Sequence, residues 1–190
     1  MADNVQTNKL TINNLGIPSL AGICSYEEAC RLGYTVDYNV NLLKRYNYVK
    51  SQCYFMLIAH IPSTPEWEVK SAVSYHVWLD SEHSVLLRKR VSEMRNPPLG
   101  LDKIPDEKLH TWFDEAIRTN TTLEFLISIY RVIKPEMVRS LKKHFAETKP
   151  LVDLPTCRVL KTILMGNLMK WMYTRIGMQE CMTLTTNSLL

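Results

Sequence analysis

PEWEVKSAVSYHVWLDSEHSVLLRKRVSEM, running from Pro65 to Met94, decides the fold. Val69, Val73, His76, Asp80, His83, Leu87, Val91 and Met94 recur in it at steps of three and four. That spacing places all of them on one face of a single long helix. Both ends of the face are aliphatic or thioether, as a core-facing stripe requires. The middle breaks the rule, because His76, Asp80 and His83 stand where a packed core takes Leu or Val. A buried carboxylate or imidazole costs on the order of several kcal/mol unless it is paired or ligated. Three readings stay open on the residues alone. The helix is rotated enough to leave Asp80 at the margin with His76 bonded to a backbone carbonyl, or the face carries a metal or catalytic site, or it carries a buried ion-pair network.

The segment before it is also helical, from Tyr38 to about His60, with Leu43, Tyr46, Lys50, Cys53, Leu57 and Ile61 as its stripe. Lys50 is the odd member. Ile61-Pro62 ends this helix, and Ser63 or Thr64 is expected to cap the next, with Pro65 in the first turn and Glu66 complementing the dipole. So short a connection makes the two helices antiparallel neighbours, and Lys50 and Asp80, each near mid-helix, are expected to meet as a buried ion pair.

Outward from this pair, Ser25-Tyr26-Glu27-Glu28 has capping-box spacing, and Gly33 is read as a left-handed stop for a short helix over about 26–32. Downstream, Asn96-Pro97-Pro98 stops the long helix. Pro105-Asp106-Glu107 opens a short one carrying Leu109, Trp112, Phe113 and Ile117, and Thr121-Thr122-Leu123-Glu124 forms a second capping box. An apolar helix comes next with Leu126, Ile127, Tyr130 and Ile133, and Pro135 is expected to kink or restart it. The continuation carries Met137, Val138, Leu141 and Phe145. Asp153 reads as the N-cap of the last helix, whose buried side is Leu160, Ile163, Leu164, Leu168, Trp171, Met172 and Ile176.

At 190 residues, 46% hydrophobic and 22% charged, the chain fits one domain with a sizeable core. Six glycines and long unpunctuated runs favour helix. The net charge of +4 is mild, and Arg88-Lys89-Arg90 and Lys142-Lys143 lie on helical patterns as solvated faces, so no nucleic-acid partner is expected. No run approaches ~20 apolar residues, so no membrane span is expected. Cys24, Cys30, Cys53, Cys157 and Cys181 are odd in number and unpaired in spacing. With a polar N-terminus lacking an apolar segment, they point to a reducing, cytoplasmic setting. Residues 1–24 read as a polar arm, 25–176 as the helical bundle and 177–190 as a frayed tail.

The run Pro65-Glu66-Trp67-Glu68-Val69-Lys70, with His76, Trp78, Asp80, Glu82-His83, Arg88, Arg90 and Glu93, resembles a group of largely uncharacterised bacterial ferritin-like domains. Tyr130-Arg131-Val132, Lys134-Pro135 and Pro150-Leu151-Val152-Asp153 with Pro155-Thr156 resemble the same group, so the likeness covers about residues 40–175. It implies an all-α fold, a ferritin-like antiparallel four-helix bundle with short additional helices. It also implies kinship with metal-dependent oxidoreductases that hold two irons through one Glu from each of two helices and a Glu-x-x-His from each of the others. Asp80-x-x-His83 stands for one such pair, with Glu82 a second choice and Glu124 a ligand candidate from the third helix. Against the motif, Lys50 occupies a Glu position, and the second pair, by register from Trp171, falls on Met165-x-x-Leu168.

The resemblance therefore implies a bundle whose di-iron site is incomplete or lost, with either iron, another divalent metal, or no cofactor. One alternative is a mononuclear iron or zinc enzyme built on Asp80 and His83, to which His76 adds a third donor. His76 and His83 are about 10 Å apart along the helix at ~1.5 Å per residue, so one ion reaches only one of them with Asp80. The other alternative is a non-catalytic helical interaction module. A homo-oligomer is compatible with either. No Gly-x-Ser-x-Gly or Gly-rich phosphate loop is present, and Cys157 alone opens a helix.

Overall fold

A computed structural model of the chain describes residue 30 and residues 32–97 and 99–167. The expected N-terminal arm, most of the 26–32 helix, the second half of the last helix and the C-terminal tail lie outside the described residues. Among the described residues the regular elements are all helical, as the sequence predicts. They are α1 (Val36–His60), α2 (Trp67–Glu93), α3 (Glu107–Ala116), α4 (Thr122–Ile127), a π-helical segment (Ser128–Ile133), α5 (Lys134–Glu147) and α6 (150–167). No helix among them is long and apolar enough to cross a membrane.

Capping chemistry sets most of the boundaries. Thr35 accepts the Tyr38 N–H at the start of α1, and Asp106 accepts from Lys108 and Leu109 at the start of α3. Thr121 and Glu124 form the reciprocal capping box of α4. Between α1 and α2 the expectation fails. The Ser63 and Thr64 hydroxyls turn back to donate to the His60 carbonyl, one of the orphan acceptors at the end of α1. Helix α2 consequently starts at Trp67, with Glu66 as a cap that makes no side-chain bond. Gly33 is likewise no left-handed stop, since among the described residues the glycine at positive φ is Gly100. What Gly33 provides is clearance, because a Cβ there would lie 3.1 Å from Lys149 Cβ.

Cross-helix bonds give the directions. Asp37 pairs with Asn96, Asn47 with Ser84 and Lys50 with Asp80, so α1 and α2 are antiparallel. Asn39 pairs with His144 and Tyr46 with Ser140, so α5 is antiparallel to α1. His76 meets Tyr130 and Asp80 meets Lys134, so the π segment and α5 run parallel to α2. Arg90 bonds Thr156, and His83 lies against Gly166, so α6 is antiparallel to α2. The order is up, down, down, up. The connection 94–121 is therefore a crossover, and it carries α3 onto α1, where His110 bonds Tyr48 and Asp106 pairs with Arg45.

Leu43, Leu57, Leu87, Ile129, Leu141 and Leu160 fill the shared interior, each fully buried. Pro135 does restart its helix, by a route that periodicity does not indicate. Proline has no N–H to give the preceding turn, and the chain before it opens to π geometry over Ser128–Ile133 before α5 begins at Lys134. On α5 Met137 and Leu141 are buried as expected, but the stripe continues to His144, and Phe145, expected inside, faces outward. Ile117 and Ile127, also expected inside, are exposed.

Candidate functional site

The predicted stripe of α2 faces the interior along its whole length, with Val73, His76, Asp80, His83, Leu87 and Val91 buried. At its centre is Asp80, fully buried, its two oxygens each taken by a different ammonium. Lys50 Nζ on α1 lies 2.6 Å from Oδ1, and Lys134 Nζ at the start of α5 lies 2.6 Å from Oδ2. The expected Lys50–Asp80 contact is present, and it is half of a triad. Lys50 also donates to Asn167 Oδ1 on α6 at 2.7 Å, so four helices meet within one hydrogen-bond chain.

The two histidines point to different neighbours. His76 Nδ1 and the Tyr130 hydroxyl are hydrogen-bonded at 2.5 Å. Tyr130 comes from the π segment, and the Lys134 ammonium stands 5.5 Å over its ring, a cation–π distance. His83 lies flush with α6, where a Cβ on Gly166 would approach its Cε1 and Nε2 to 2.6 Å. A glycine within a helix costs about 1 kcal/mol relative to Ala; here it leaves the space that the imidazole fills.

Charge and burial oppose each other in this centre. Burial pushes the Lys50 ammonium below its ordinary range, with the like charge of Lys134 adding to the effect and Asp80 resisting it. Burial and then the Asp80 charge push the Tyr130 phenol well above its ordinary range, so it stays protonated. Cys157, expected to open the last helix, lies two turns inside α6, and burial holds its thiol up, which disfavours the thiolate a nucleophile needs.

Other expected positions lie elsewhere. Glu124, a ligand candidate by sequence, is exposed at the start of α4, its carboxylate accepting from the Asn120 and Thr121 N–H groups. Met165 is 58% exposed, and Leu168 lies outside the described residues. The inward position of α6 is Asn167, because its buried positions run Asp153, Thr156, Leu160, Ile163, Asn167. That three-and-four spacing is present in the sequence, but a register anchored on Trp171 passes over it. Asp153 does accept the Thr156 N–H, although the helix already begins at 150. Its Oδ1 also takes Arg90 at 2.7 Å, tying the end of α2 to the start of α6.

A di-iron centre needs carboxylates facing metal, and these residues do not fit one. The acid at the centre has both oxygens on ammoniums, and a third helix offers a lysine. Among the described residues no three His, Cys, Asp or Glu side chains gather in an arrangement able to hold an ion. Compared with protein-family models, curated proteins and solved structures, the chain matches none.

Proposed function

We propose that this chain is a ferritin-like bundle in which a buried ion-pair triad, Lys50–Asp80–Lys134, has replaced the di-iron centre, and that it works as a metal-independent helical module rather than as an oxidoreductase. Two observations support the fold. The helices run up, down, down, up, and a single long crossover joins the second to the third, which is the connectivity of ferritin-like folds among four-helix bundles. The functional half rests on one observation, that both Asp80 oxygens are held by ammoniums at 2.6 Å. A cation entering there would have to displace two positive charges that already neutralise the carboxylate. An ammonium supplies charge and donors but no open coordination position, so it can hold the helices together without activating oxygen.

Metal analysis of protein purified without chelator, before and after anaerobic incubation with ferrous iron, tests this. The expected result is metal well below one ion per chain in both samples. Two irons per chain with an oxo-bridge absorption band would restore the oxidoreductase. A single metal lost in both Asp80→Ala and His83→Ala, but kept in Glu82→Ala, would establish the mononuclear site instead.

A further inference from the structure

The buried centre holds more donors and more positive charge than its own residues answer. Lys50 Nζ has three N–H groups and uses two, on Asp80 Oδ1 and Asn167 Oδ1. Lys134 Nζ uses one, on Asp80 Oδ2. Because the Asn167 oxygen receives the Lys50 proton, its amide orientation is set and Nδ2 is the remaining donor. Among the described residues Nδ2 has no hydrogen-bond partner, in a residue only 4% exposed. Among the described residues, Asp80 is the carboxylate paired with either ammonium. Two ammoniums thus share one carboxylate in a buried centre.

Three internal remedies fall short. A neutral Lys50 amine removes the surplus charge and gains one lone pair, which cannot serve both Asn167 Nδ2 and Lys134. A thiolate at Cys53, one turn along α1, would answer the charge, but no sulfur reaches Asn167 Nδ2. A buried water accepts hydrogen bonds and carries no charge. An anion answers both deficits at once.

We propose that the centre binds one small monovalent anion, of chloride size, held by Lys134 Nζ, the third N–H of Lys50 and Asn167 Nδ2. Asp80 and the Asn167 oxygen tether these donors to one locus between α1, α2, α5 and α6. The burial of every donor limits the occupant to a small ion. The inference rests on the metal-free reading of the same site, since an iron would expel the ammoniums and need no counter-anion. The bound halide then completes a four-helix clamp, and it makes the stability of the bundle depend on halide concentration.

Thermal unfolding of the full chain, at fixed pH and ionic strength with gluconate replaced stepwise by chloride or bromide, reads this directly. A ligand that binds only the folded state raises Tm saturably, and a rise of a few degrees is expected. Asn167→Asp deletes the Nδ2 donor and builds in the missing negative charge. It should unfold at or above the wild-type temperature in gluconate and lose the halide response. Lys134→Met, which leaves Asp80 paired with Lys50, should lose the response as well. Bromide-soaked crystals should show an anomalous peak beside Lys50, Lys134 and Asn167. A wild-type Tm indifferent to halide, an equal response in the variants, or a destabilised Asn167→Asp would each overturn the proposal. Metal content is measured on the same preparation. Metal-free protein without a halide effect defeats the anion alone, whereas metal-loaded protein defeats the module reading on which it rests.

Discussion

Replacing Lys50 alone should be tolerated far better than a simple buried pair would allow, because Lys134 stays on the other Asp80 oxygen. Removing one partner of an isolated buried ion pair costs about 3–5 kcal/mol, mostly for the charge left behind. In Lys50→Met the carboxylate keeps Lys134 at 2.6 Å. The loss is then the hydrogen bonds from Lys50 to Asp80 and Asn167, offset by relief of the repulsion between the ammoniums. That comes to about 1–2 kcal/mol. Lys134→Met should cost a similar amount for the converse reason. The double variant strands Asp80, whose oxygens then have neither ammonium, and the full charge-burial term appears. It should lose about 5 kcal/mol, leaving a coupling on the order of 2 kcal/mol between the two lysines. Urea denaturation followed by circular dichroism resolves this, since at about 2 kcal/mol/M each single variant moves the midpoint by roughly 0.5–1 M. If the two lysine substitutions simply add, neither ammonium covers for the other. The triad would then be two independent contacts.

The geometry sets three further outcomes. His144, buried against Asn39, has its pKa lowered from 6.5 to about 4 by burial. Stability should therefore be complete above pH 6.5 and fall by roughly 3 kcal/mol as pH drops towards 4; a flat profile across that window in urea titrations would refute the assignment, and His144→Gln should flatten it. Gly166→Ala should destabilise by about 1–2 kcal/mol, because its Cβ meets the buried His83 ring and the clash outweighs the gain in helix propensity; the same change in a His83→Ala background should be neutral or stabilising. Arg90→Met should cost about 2–4 kcal/mol by leaving the half-satisfied Asp153 carboxylate without its guanidinium, and Arg90→Lys should recover only part, since the bond to Thr156 is lost.

The first two helices are legible in the sequence because their signals agree with one another. On α2 the stripe from Val69 to Met94 keeps an unbroken three-and-four rhythm, and a short Pro-bearing link fixes α1 as its antiparallel neighbour. Under those constraints the place where Lys50 and Asp80 meet comes from counting residues. Agreement ends where one signal stands alone. Ser63 and Thr64 have the side chains of N-caps, but both hydroxyls turn back to the His60 carbonyl at the end of α1. Gly33 has the residue type of a helix stop, while its use here is a close approach to Lys149. Glu124 has the residue type of a ligand, but it also completes a capping box with Thr121 three residues before it, and the box is what forms.

The rest of the site is hidden by helix geometry. Lys134 comes after Ile133 and precedes Pro135, and under a strict 3.6-residue period only one of two neighbours belongs in the core. Both are buried here, where the π segment hands over to α5. Asn167 is hidden by the opposite error, an α6 register taken from Trp171 downstream instead of from the run Asp153, Thr156, Leu160, Ile163. Lys134 takes the second oxygen of an acid that sequence alone could pair only once, and Asn167 takes a proton of Lys50. This matters for function. With Lys50 as its sole partner, Asp80 makes a neutral pair with nothing left to bind. With Lys134 on its other oxygen, the same carboxylate meets two ammoniums, one of them tied on to Asn167. A site that looks from the sequence like a metal site with its cation missing is, in three dimensions, a carboxylate held between two ammoniums.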